Sequence, residues 1–580
     1  MEKFIPTSLK EGQSYYDSFT QFDIIFVTGD PYYDHPLNGV AILSRLLNVK
    51  GYKVGIIAQP ETKEDFTSCG KPRYFFCITS GLLDSMLANY TPMLHKRENV
   101  LVPERALILY TQKIKESFKD SITIIGGVEA TIRRFTHFDY KENKLRRSIL
   151  QDSKADVLIH GNADRTLLEI LKRLKEFPEL PFQHLSSLLD CQTIDGLSFR
   201  IKKNDINKDL RNLPSYEDCV EDPKKFSLLT RTHYLLPDDA FIEPCGLGFI
   251  QHNRPSHPLT EQELDLIYEQ PFTRKLHPNS KNFNFNYEMV ERLETSVILG
   301  RGCWGSCNFC VIPLVQGKEV AKRSKESILK EIETLYKKGY TKINDLTLPT
   351  LNMYGSSCNL YNVPQIISSP IINEDITVYN KEKYCNQQCG GCPQRVLRDD
   401  LYPLLEGIEK LQRKYPGTSL ELRSAIRHDI ILEQKELFRK IMQFTTRLKI
   451  APEHISNTVL KQMNKGTRAQ FEEFLEEYKK INEEQGTHKN LVPYFIAGHP
   501  GSTMNDMELL RKFCKEKDIY VNLTQVFTPT PGTASTAAYY TAEDTFTKEK
   551  IHVPRNFREK KDQKNVLVED IEFSKDDESG

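Results

Sequence analysis

A cysteine triplet in the middle of the chain has the spacing that can hold an iron–sulfur cluster. Cys303, Cys307 and Cys310 lie in GRGCWGSCNFC and read C-x3-C-x2-C. With 13 cysteines among 580 residues, chance alone gives about 0.006 such triplets in the chain. The same spacing nevertheless recurs at residues 385–392. Both triplets therefore point to chemistry rather than to coincidence.

The first triplet supplies three ligands rather than four. Three thiolates can bind three corners of a 4Fe-4S cube and leave the fourth iron without a protein ligand. A catalytic metal keeps such an open position for a substrate or cofactor, whereas a closed four-ligand set suits structure or electron transfer. The triplet at Cys303, Cys307 and Cys310 therefore predicts a catalytic 4Fe-4S cluster.

The second triplet has a fourth cysteine upstream of it. Cys358, Cys385, Cys389 and Cys392 could together hold an auxiliary iron–sulfur cluster or a structural zinc ion, because both accept four thiolates. Reduced cysteines on an insertion without metal are the alternative. The sequence favours a second metal set here and does not choose between the two metals.

The first triplet directly follows a predicted strand. TSVILGRGC at 295–303 predicts a strand that leads into the cysteine loop, and SKESILKEIETLYKKG predicts the helix after it. Apolar residues fall on one face of that helix, at Ile328, Ile332, Leu335 and Tyr336. Similar strand–helix units follow and favour a full or partial barrel, in which functional loops follow the carboxyl ends of strands.

The first part of the chain also alternates β-rich and helical segments. DIIFVTGD, GVAILSRLLNVKG and YKVGIIAQ give the βαβ rhythm of a parallel sheet. We predict a doubly wound, flavodoxin-like α/β domain over 1–214, a connector over 215–290 and a partial (β/α) barrel over 291–535. The barrel carries a cysteine-rich insertion at about 355–395, and residues 536–580 form a C-terminal extension with a charged tail.

Composition narrows the class of protein. Lys and Arg together number 79, as do Asp and Glu, so no net field draws the molecule to nucleic acid or membrane, although a local basic groove stays possible. No apolar run approaches the roughly 18 residues of a membrane span, and MEKFIPTSLK lacks a signal-peptide pattern. We expect a cytoplasmic protein, in which cysteine motifs indicate metal binding or catalysis rather than disulfides.

The motifs together resemble one protein family. GRGCWGSCNFC, with Phe309 just before its last cysteine, is similar to the cluster signature of radical S-adenosylmethionine (radical SAM) enzymes. With DLTLPTLNMYG, LKIAPEH, PYFIAGHPG and QVFTPTPGTASTAAYYT, it resembles the YgiQ-type radical SAM proteins over nearly the whole chain. That family has a comparable cysteine-rich insertion.

This resemblance implies a cofactor pair and a reaction class. The expected cofactors are a 4Fe-4S cluster and SAM, held in a radical SAM partial barrel behind a cobalamin-binding-like N-terminal domain. In such enzymes reductive cleavage of SAM yields a 5'-deoxyadenosyl radical, which abstracts hydrogen from a substrate. An electron donor such as flavodoxin or ferredoxin is implied as a partner. The resemblance supplies no particular substrate.

The resemblance also implies positions for SAM contacts. Besides Phe309, Glu453 in APEHISNTVLKQMNKGT matches an acid that binds the SAM amino group or ribose, and a helix-start acid is the alternative. Gly498 and Gly501 in PYFIAGHPGST match a strand-end pattern that approaches adenine or ribose, although a plain turn also uses glycines. Arg427 is either a carboxylate contact or a salt-bridged barrel residue.

Cobalamin is not expected in the N-terminal domain. The ligand motif of cobalamin-binding domains is D-x-H-x-x-G, whereas here Asp34 and His35 are adjacent and Gly39 follows four residues later. We therefore read His35 as a loop or surface histidine and predict that cobalamin is unlikely as a cofactor.

Other functions remain open at this stage. Two cysteine sets could relay electrons in an iron–sulfur electron-transfer or sensor protein. A zinc-bearing nucleic-acid-binding module around residues 350–400 is weakened by the zero net charge. An RNA- or protein-modifying enzyme of the methylthiotransferase kind shares the barrel motifs, but usually adds an RNA-binding end domain. Catalytic residues are not assigned from the sequence.

Overall fold

The computed structural model describes residues 3–176, 191–246, 248–280, 293–359, 392–521 and 523–568. Two α/β regions follow one another along the chain. In the described residues none of the helices combines the length and the apolar character needed to span a bilayer.

The first region contains eleven strands and eleven α-helices in its described residues. Its strands are β1 (Ile24–Thr28), β2 (Val54–Ala58), β3 (Phe75–Thr79), β4 (Ile122–Ile125), β5 (His137–Asp139), β6 (Lys144–Arg146), β7 (Val157–Ile159), β8 (Leu197–Ile201), β9 (Arg211–Asn212), β10 (Phe241–Cys245) and β11 (Gly248–His252). Its helices are α1 (Leu9–Tyr15), α2 (Gly39–Val49), α3 (Lys63–Thr67), α4 (Ser85–Asn89), α5 (Ala106–Ser117), α6 (Gly127–Ile132), α7 (Ile149–Ser153), α8 (Asp164–Glu176), α9 (Tyr216–Glu221), α10 (Pro223–Leu235) and α11 (Glu261–Tyr268).

A nine-stranded sheet organises this region. Its order is β2-β1-β3-β4-β7-β8-β11-β10-β9, and the first five strands are parallel. Strand β1 is buried along its whole length, as a parallel strand covered on both faces must be. Ile24 and Phe26 pack into the hydrophobic core on one face, and Ile25 and Val27 into the core on the other. The predicted doubly wound α/β architecture is confirmed.

The sheet continues beyond the predicted end of the N-terminal domain. Strands β10 and β11, within the predicted connector at 215–290, form an antiparallel pair, and β11 pairs with β8. The connector therefore completes the sheet instead of merely linking two domains. Its short strands meet at a turn containing Gly246, at φ +64°, and carry little periodic signal in the sequence.

The second region carries the cysteine loop. Its strands are β12 (Ser296–Ile298), β13 (Gly300–Arg301), β14 (Ala321–Lys322), β15 (Lys342–Ile343), β16 (Asp345–Thr347), β17 (Ser357–Cys358), β18 (Arg395–Val396), β19 (Ser419–Leu420), β20 (Arg447–Glu453), β21 (Asn490–Ala497) and β22 (Leu523–Val526). Its helices are α12 (Ile312–Gln316), α13 (Lys325–Lys337), α14 (Leu401–Lys414), α15 (His428–Ile431), α16 (Lys435–Gln443), α17 (Asn457–Met463), α18 (Arg468–Gln485), α19 (Met504–Glu516), α20 (Ala534–Thr541) and α21 (Phe557–Val568).

Parallel strand pairs alternate with helices through this region. Strand β12 pairs with β16, β15 with β19, and β20 with β21, which pairs with β22. Helix α13 starts after the N-cap Ser324, whose side chain accepts a hydrogen bond from Ser327 N. Its predicted apolar face, which includes Ile328 and Ile332, lies in the core beneath the strands. Packing thus fixes the strand ends that present the cysteine loop.

Part of the predicted charged tail, Phe557–Val568, forms a helix, and residues 569–580 lie outside the described residues. Helix α21 buries Lys560 and Gln563 completely. Gln563 Oε1 accepts hydrogen bonds from Gly498 N and Ser502 Oγ, and its Nε2 donates to Ser502 O. These bonds satisfy backbone groups after β21, so the helix belongs to the same folded unit.

Candidate functional site

The cysteine loop closes on itself between β13 and β14. These two strands pair antiparallel, and Cys303 N donates to Gly317 O at 3.1 Å. Gly302 has φ +94°, and a Cβ there would lie 1.9 Å from Glu319 O. Glycine is therefore required just before the first cysteine, because any side chain would collide with the backbone that closes the loop.

The three thiols of the loop lie close enough to influence one another. Burial, followed by the charge of Cys307, raises the pKa of Cys303, and the same two causes raise the pKa of Cys310 to about 12. Cys303 Sγ also accepts from Gly305 N at 3.4 Å and lies 3.6 Å from Thr350 Oγ1. A bound metal would stabilise the thiolate form of these neighbouring cysteines, because metals bind cysteine as the thiolate.

The donor set suits a cluster better than a single ion. Three thiols on one short loop can each bind a separate corner of an iron–sulfur cube, and thiolate is the ligand that such clusters take. The residues present therefore fit a 4Fe-4S cluster with one iron left open.

Arg427 places a positive charge beside this loop. Its Nη1 lies 3.6 Å from Cys307 Sγ and donates to Gly305 O at 3.3 Å, while its Nε donates to Asp429 Oδ1 at 2.9 Å. Asn352 fixes the backbone by accepting from Arg427 N at 2.9 Å. Arg427 is thus salt-bridged, as one sequence alternative had it, and it also faces a cluster cysteine, which the sequence did not indicate.

Glu453 occupies a strained position at the end of β20. Its φ is +66°, a left-handed conformation that costs a residue other than glycine free energy, and the register with β21 shifts there. The side chain is buried 3.8 Å from Lys465 Nζ. Burial raises its pKa, while Lys465 and Arg427 oppose the rise. Strain together with a buried acid is typical of functional sites.

The predicted glycines after β21 approach protein atoms in this structure. A Cβ on Gly498, at φ +72°, would lie 3.2 Å from Lys560 Cγ, and one on Gly501, at φ +91°, 3.0 Å from Gln462 Cγ. Phe309 lies with its ring centroid 6.1 Å from that of His499. The chain thus brings Phe309 and this strand end together at the cysteine loop, and their predicted SAM contacts stay predictions.

Three histidines around the site are buried in the neutral form, and they predict acid sensitivity. Burial, first among the causes, lowers the pKa of His428 to about 3, of His454 to about 4 and of His499 to about 3. The unfolded chain then binds more protons below pH ~6.5, so stability is complete above that pH and is lost as the pH falls. As the pH falls from ~7.5 to ~5.5, each histidine should lower the free energy of unfolding by about 1.4 kcal/mol.

Urea unfolding at the two pH values checks this expectation. The variant His454→Gln should lose about 1.4 kcal/mol of the pH-dependent difference in the free energy of unfolding. His95→Gln, which changes an exposed histidine, serves as the control and should leave the difference unchanged. An identical pH dependence in His454→Gln and the wild type would contradict a neutral buried His454.

A cavity of about 480 Å³ lies between the two regions. It covers the carboxyl ends of the parallel strands, where Gly126 follows β4 and Gly161 follows β7, and reaches Thr347 at the end of β16. Ligands of open parallel sheets bind at this edge. Most of the lining is apolar, and Arg301 in it is already paired with Asp164 at 2.7 Å. The cavity therefore suits a large, uncharged ligand.

His35 is held by protein groups beside this cavity. Its Nε2 lies 3.0 Å from Arg274 Nη1 and 3.2 Å from Glu294 O, and its Nδ1 accepts from Leu37 N at 3.1 Å. Both ring nitrogens are thus engaged. His35 lies on a loop, as one predicted alternative had it, but its ring is fully buried and not on the surface. The neighbouring Asp34 pairs with Arg45. His35 has no nitrogen left for a metal in this arrangement.

The second cysteine set is described only in part. Cys358 ends β17 and lies opposite Arg395 of β18 in an antiparallel pair. Cys392 lies just before β18 in the chain. Cys392 Sγ accepts from Gln394 N at 3.4 Å. Cys385 and Cys389 lie outside the described residues. The second metal set therefore stays a prediction.

Comparison with known proteins defines the class first. Residues 4–293 match the family model for the radical SAM N-terminal region. Over 90% of this chain and 79% of the other, the fold is similar to that of the radical SAM methyltransferase TsrM from Kitasatospora setae, with a TM-score of 0.51 and 13% identity. The chain has the fold of a radical SAM enzyme, with a reaction that these likenesses do not specify.

Whole-chain relatives then define the family. A UPF0313 protein of Thermotoga neapolitana is 36% identical, with 99% of each chain covered, and one of Methanocaldococcus jannaschii is 36% identical, covering 97% of this chain and 92% of the relative. The chain belongs to the UPF0313 family of YgiQ-type proteins. The predicted resemblance is confirmed.

One sequence-based expectation is wrong. The sequence predicts that cobalamin is unlikely, because Asp34 and His35 do not form a D-x-H-x-x-G motif. The TsrM structure that shares this fold is described with cobalamin and a 4Fe-4S cluster bound. A missing motif therefore does not exclude cobalamin from a chain of this fold, because a protein can hold a large cofactor through its cavity walls without a histidine ligand.

Proposed function

We propose that this protein uses a 4Fe-4S cluster bound by Cys303, Cys307 and Cys310 to cleave SAM reductively and begin radical chemistry on a substrate. The observation that carries the proposal is the closed glycine-dependent loop with three neighbouring thiols and one buried cation, Arg427, at 3.6 Å from Cys307 Sγ. When bound, the cluster supplies an electron and an open iron position for SAM.

The chain's own residues would prepare this site. Arg427 holds positive charge at the loop, and Asp429 fixes the guanidinium with two contacts. Glu453, buried at a strand end, is a carboxylate that can accept a hydrogen bond from a SAM amino or ribose group. Cys303 is partly buried against the surrounding hydrophobic core, which reduces its contact with water.

Anaerobic reconstitution tests the proposal. The full chain, loaded with iron and sulfide and reduced with dithionite, should convert SAM to 5'-deoxyadenosine, measured by liquid chromatography. An electron carrier or sensor would show the same reduced cluster without binding SAM. A reduced, intact cluster with no deoxyadenosine and no SAM-dependent change in its electron paramagnetic resonance spectrum would contradict the proposal.

The cavity between the two regions supports a second cofactor of the corrinoid class. An apolar floor with neutral polar groups such as Asn38, Asn162 and Gln316 suits a macrocycle that carries amide side chains. The described lining contains no histidine, so cobalt would take no imidazole ligand from it. Such a cofactor supplies methyl-transfer chemistry when bound.

Blocking the cavity tests this assignment. Gly39 lines it, and a Cβ there would have no atom within 4 Å, so Gly39→Leu should introduce a bulky side chain at the cavity wall. Hydroxocobalamin binding, followed by the absorbance of protein after gel filtration, should fall at least about tenfold in this variant. Gly248→Leu, at another open glycine, is the matched control and should bind normally. Equal cobalamin binding by the two variants, or no binding by the wild type, would contradict a corrinoid cofactor in this cavity.

A further inference from the structure

The cysteine loop is bonded to the last turn of α17. Asn308, between Cys307 and Cys310, donates from its backbone N to Met463 O at 3.0 Å. Its side-chain Nδ2 donates to Gln462 O at 2.8 Å. The last four carbonyl groups of a helix have no partner within the helix, so a residue of the loop caps α17 here. Asn308 is buried, which protects these bonds from competition by water.

A second asparagine makes the reverse contact, from the helix to the loop. Asn464, the C-cap of α17, donates from Nδ2 to Ser306 O at 2.8 Å. Asn464 has φ +55°, a left-handed conformation that asparagine tolerates at the end of a helix. Ser306 has φ +48°, which costs a serine free energy, and the bond from Asn464 helps to hold it there. The bonds at Ser306 and Asn308 therefore fix the chain on both sides of Cys307.

A third contact to the loop comes from α20. Ser535 N donates to Asn308 O at 2.9 Å, and Ser535 Oγ lies 2.8 Å from His499 Nε2. His499 Nδ1 lies 2.7 Å from Pro500 O, so Nδ1 carries the proton and Nε2 accepts from the serine hydroxyl. The segments PYFIAGHPG and QVFTPTPGTASTAAYYT, which the sequence singles out, thus meet at Asn308.

We propose that Asn308 and Asn464 are positioning residues that hold the cysteine loop in its metal-binding form before any metal arrives. The bonds to Gln462, Met463 and Ser306 join protein groups only, so they do not depend on a ligand. A preformed loop loses less conformational freedom when it binds a cluster, which raises its affinity. The inference rests on the proposed function for the identity of the metal, while the order of the loop can be measured without any metal.

Iron release tests the positioning role in the loaded protein. The full chain is reconstituted anaerobically with iron and sulfide, reduced with dithionite and mixed with an excess of the ferrous chelator ferrozine. Asn464→Gly keeps the left-handed backbone and removes the bond to Ser306 O, whereas Asn308→Ala removes the bond to Gln462 O. Each variant should release iron at least about tenfold faster than the wild type. The visible circular dichroism, which reports the geometry of the cysteines around the cluster, should change as well.

Two substitutions outside the loop are the matched controls. Asn143 has φ +51° in the exposed turn between β5 and β6, so Asn143→Gly repeats the backbone change. Asn89 Nδ2 donates to Ser85 O and Val102 O, both at 2.8 Å, so Asn89→Ala repeats the loss of buried bonds and should lower the urea midpoint. Both controls should keep the wild-type rate of iron release and the wild-type circular dichroism. Fast release from Asn89→Ala, or wild-type release from Asn308→Ala and Asn464→Gly, would overturn the proposal.

Amide hydrogen exchange in the metal-free chain separates this role from the proposed reaction. The peptide that contains Asn308 is followed by mass spectrometry. The Asn308 amide should be protected in the wild type, because it donates to Met463 O, and should exchange about fivefold faster in Asn464→Gly. Rapid exchange of this amide in the metal-free wild type would refute a preformed loop. A protected amide in a chain that binds no cluster would support the preformed loop and contradict only the proposed function.

Discussion

Replacing Cys307 by alanine is expected to abolish 5'-deoxyadenosine formation and to remove most of the cluster iron from the reconstituted protein. Two remaining thiolates, from Cys303 and Cys310, cannot hold three corners of a cube. Activity should fall by at least about three orders of magnitude, because no other group in the site supplies an electron. Iron and sulfide analysis, together with absorbance near 400 nm, measures the loss directly.

A cysteine of the same region provides the matched control. Cys514 is buried in the hydrophobic core of the second region and lies in α19, outside the cysteine loop. Cys514→Ala should keep its cluster and its deoxyadenosine formation, at a cost of about 1 kcal/mol in the free energy of unfolding. If Cys307→Ala retained a full cluster and normal turnover, the loop would not be the cluster site.

Removing the charge of Arg427 should make the cluster harder to reduce. A positive charge close to Cys307 Sγ stabilises the added electron, and Arg427→Met removes it. Coulomb's law at an effective dielectric of about 20 puts the fall in reduction potential on the order of 100 mV. Potentiometric titration followed by electron paramagnetic resonance measures this shift, and deoxyadenosine formation with a weak physiological reductant should slow accordingly.

The same variant also leaves Asp429 without its partner. Although burial opposes ionisation, Arg427 holds the pKa of Asp429 far below its usual value, so the unpaired carboxylate should cost about 3–5 kcal/mol of stability. Arg427→Met combined with Asp429→Asn should recover much of this loss, because it removes both buried charges, and its potential should lie between those of Arg427→Met and the wild type. Arg427→Lys keeps the charge, and Arg439→Met changes a partly buried arginine that is paired with Glu484 away from the loop. Equal potentials in Arg427→Met and Arg439→Met would refute the electrostatic role.

Local patterns predicted the elements that depend on local rules. The apolar spacing of Ile328 and Ile332 predicted α13, because helix periodicity acts within a few residues. The cysteine loop was predicted as a strand-to-helix loop because its spacing is itself the signal. Gly302 is explained only by the structure, since the backbone that a side chain would strike comes from Glu319.

Features that depend on contacts between distant residues were not predictable from one sequence. Arg427 and Cys307 are 120 positions apart in the sequence, and the residues beside each of them in the chain do not indicate the contact. Helix α21 looked like a charged tail because the burial of Lys560 depends on the hydroxyls of Tyr140 and Tyr539, which accept from its Nζ at 2.9 and 3.1 Å. Composition rules describe average solvation and miss such satisfied polar groups.

Gln316 joins the cysteine loop to the N-terminal sheet through two bonds. Its side-chain oxygen accepts from Gly302 N at 3.2 Å, and its backbone oxygen accepts from Asn162 Nδ2. Arg301, beside Gly302, is tied to Asp164 on the other side of the same cavity. A molecule that occupies the cavity would therefore contact the residues that anchor Cys303. If its binding changes the affinity of the loop for its metal, thermodynamic reciprocity requires that the metal change the affinity of the cavity by the same factor.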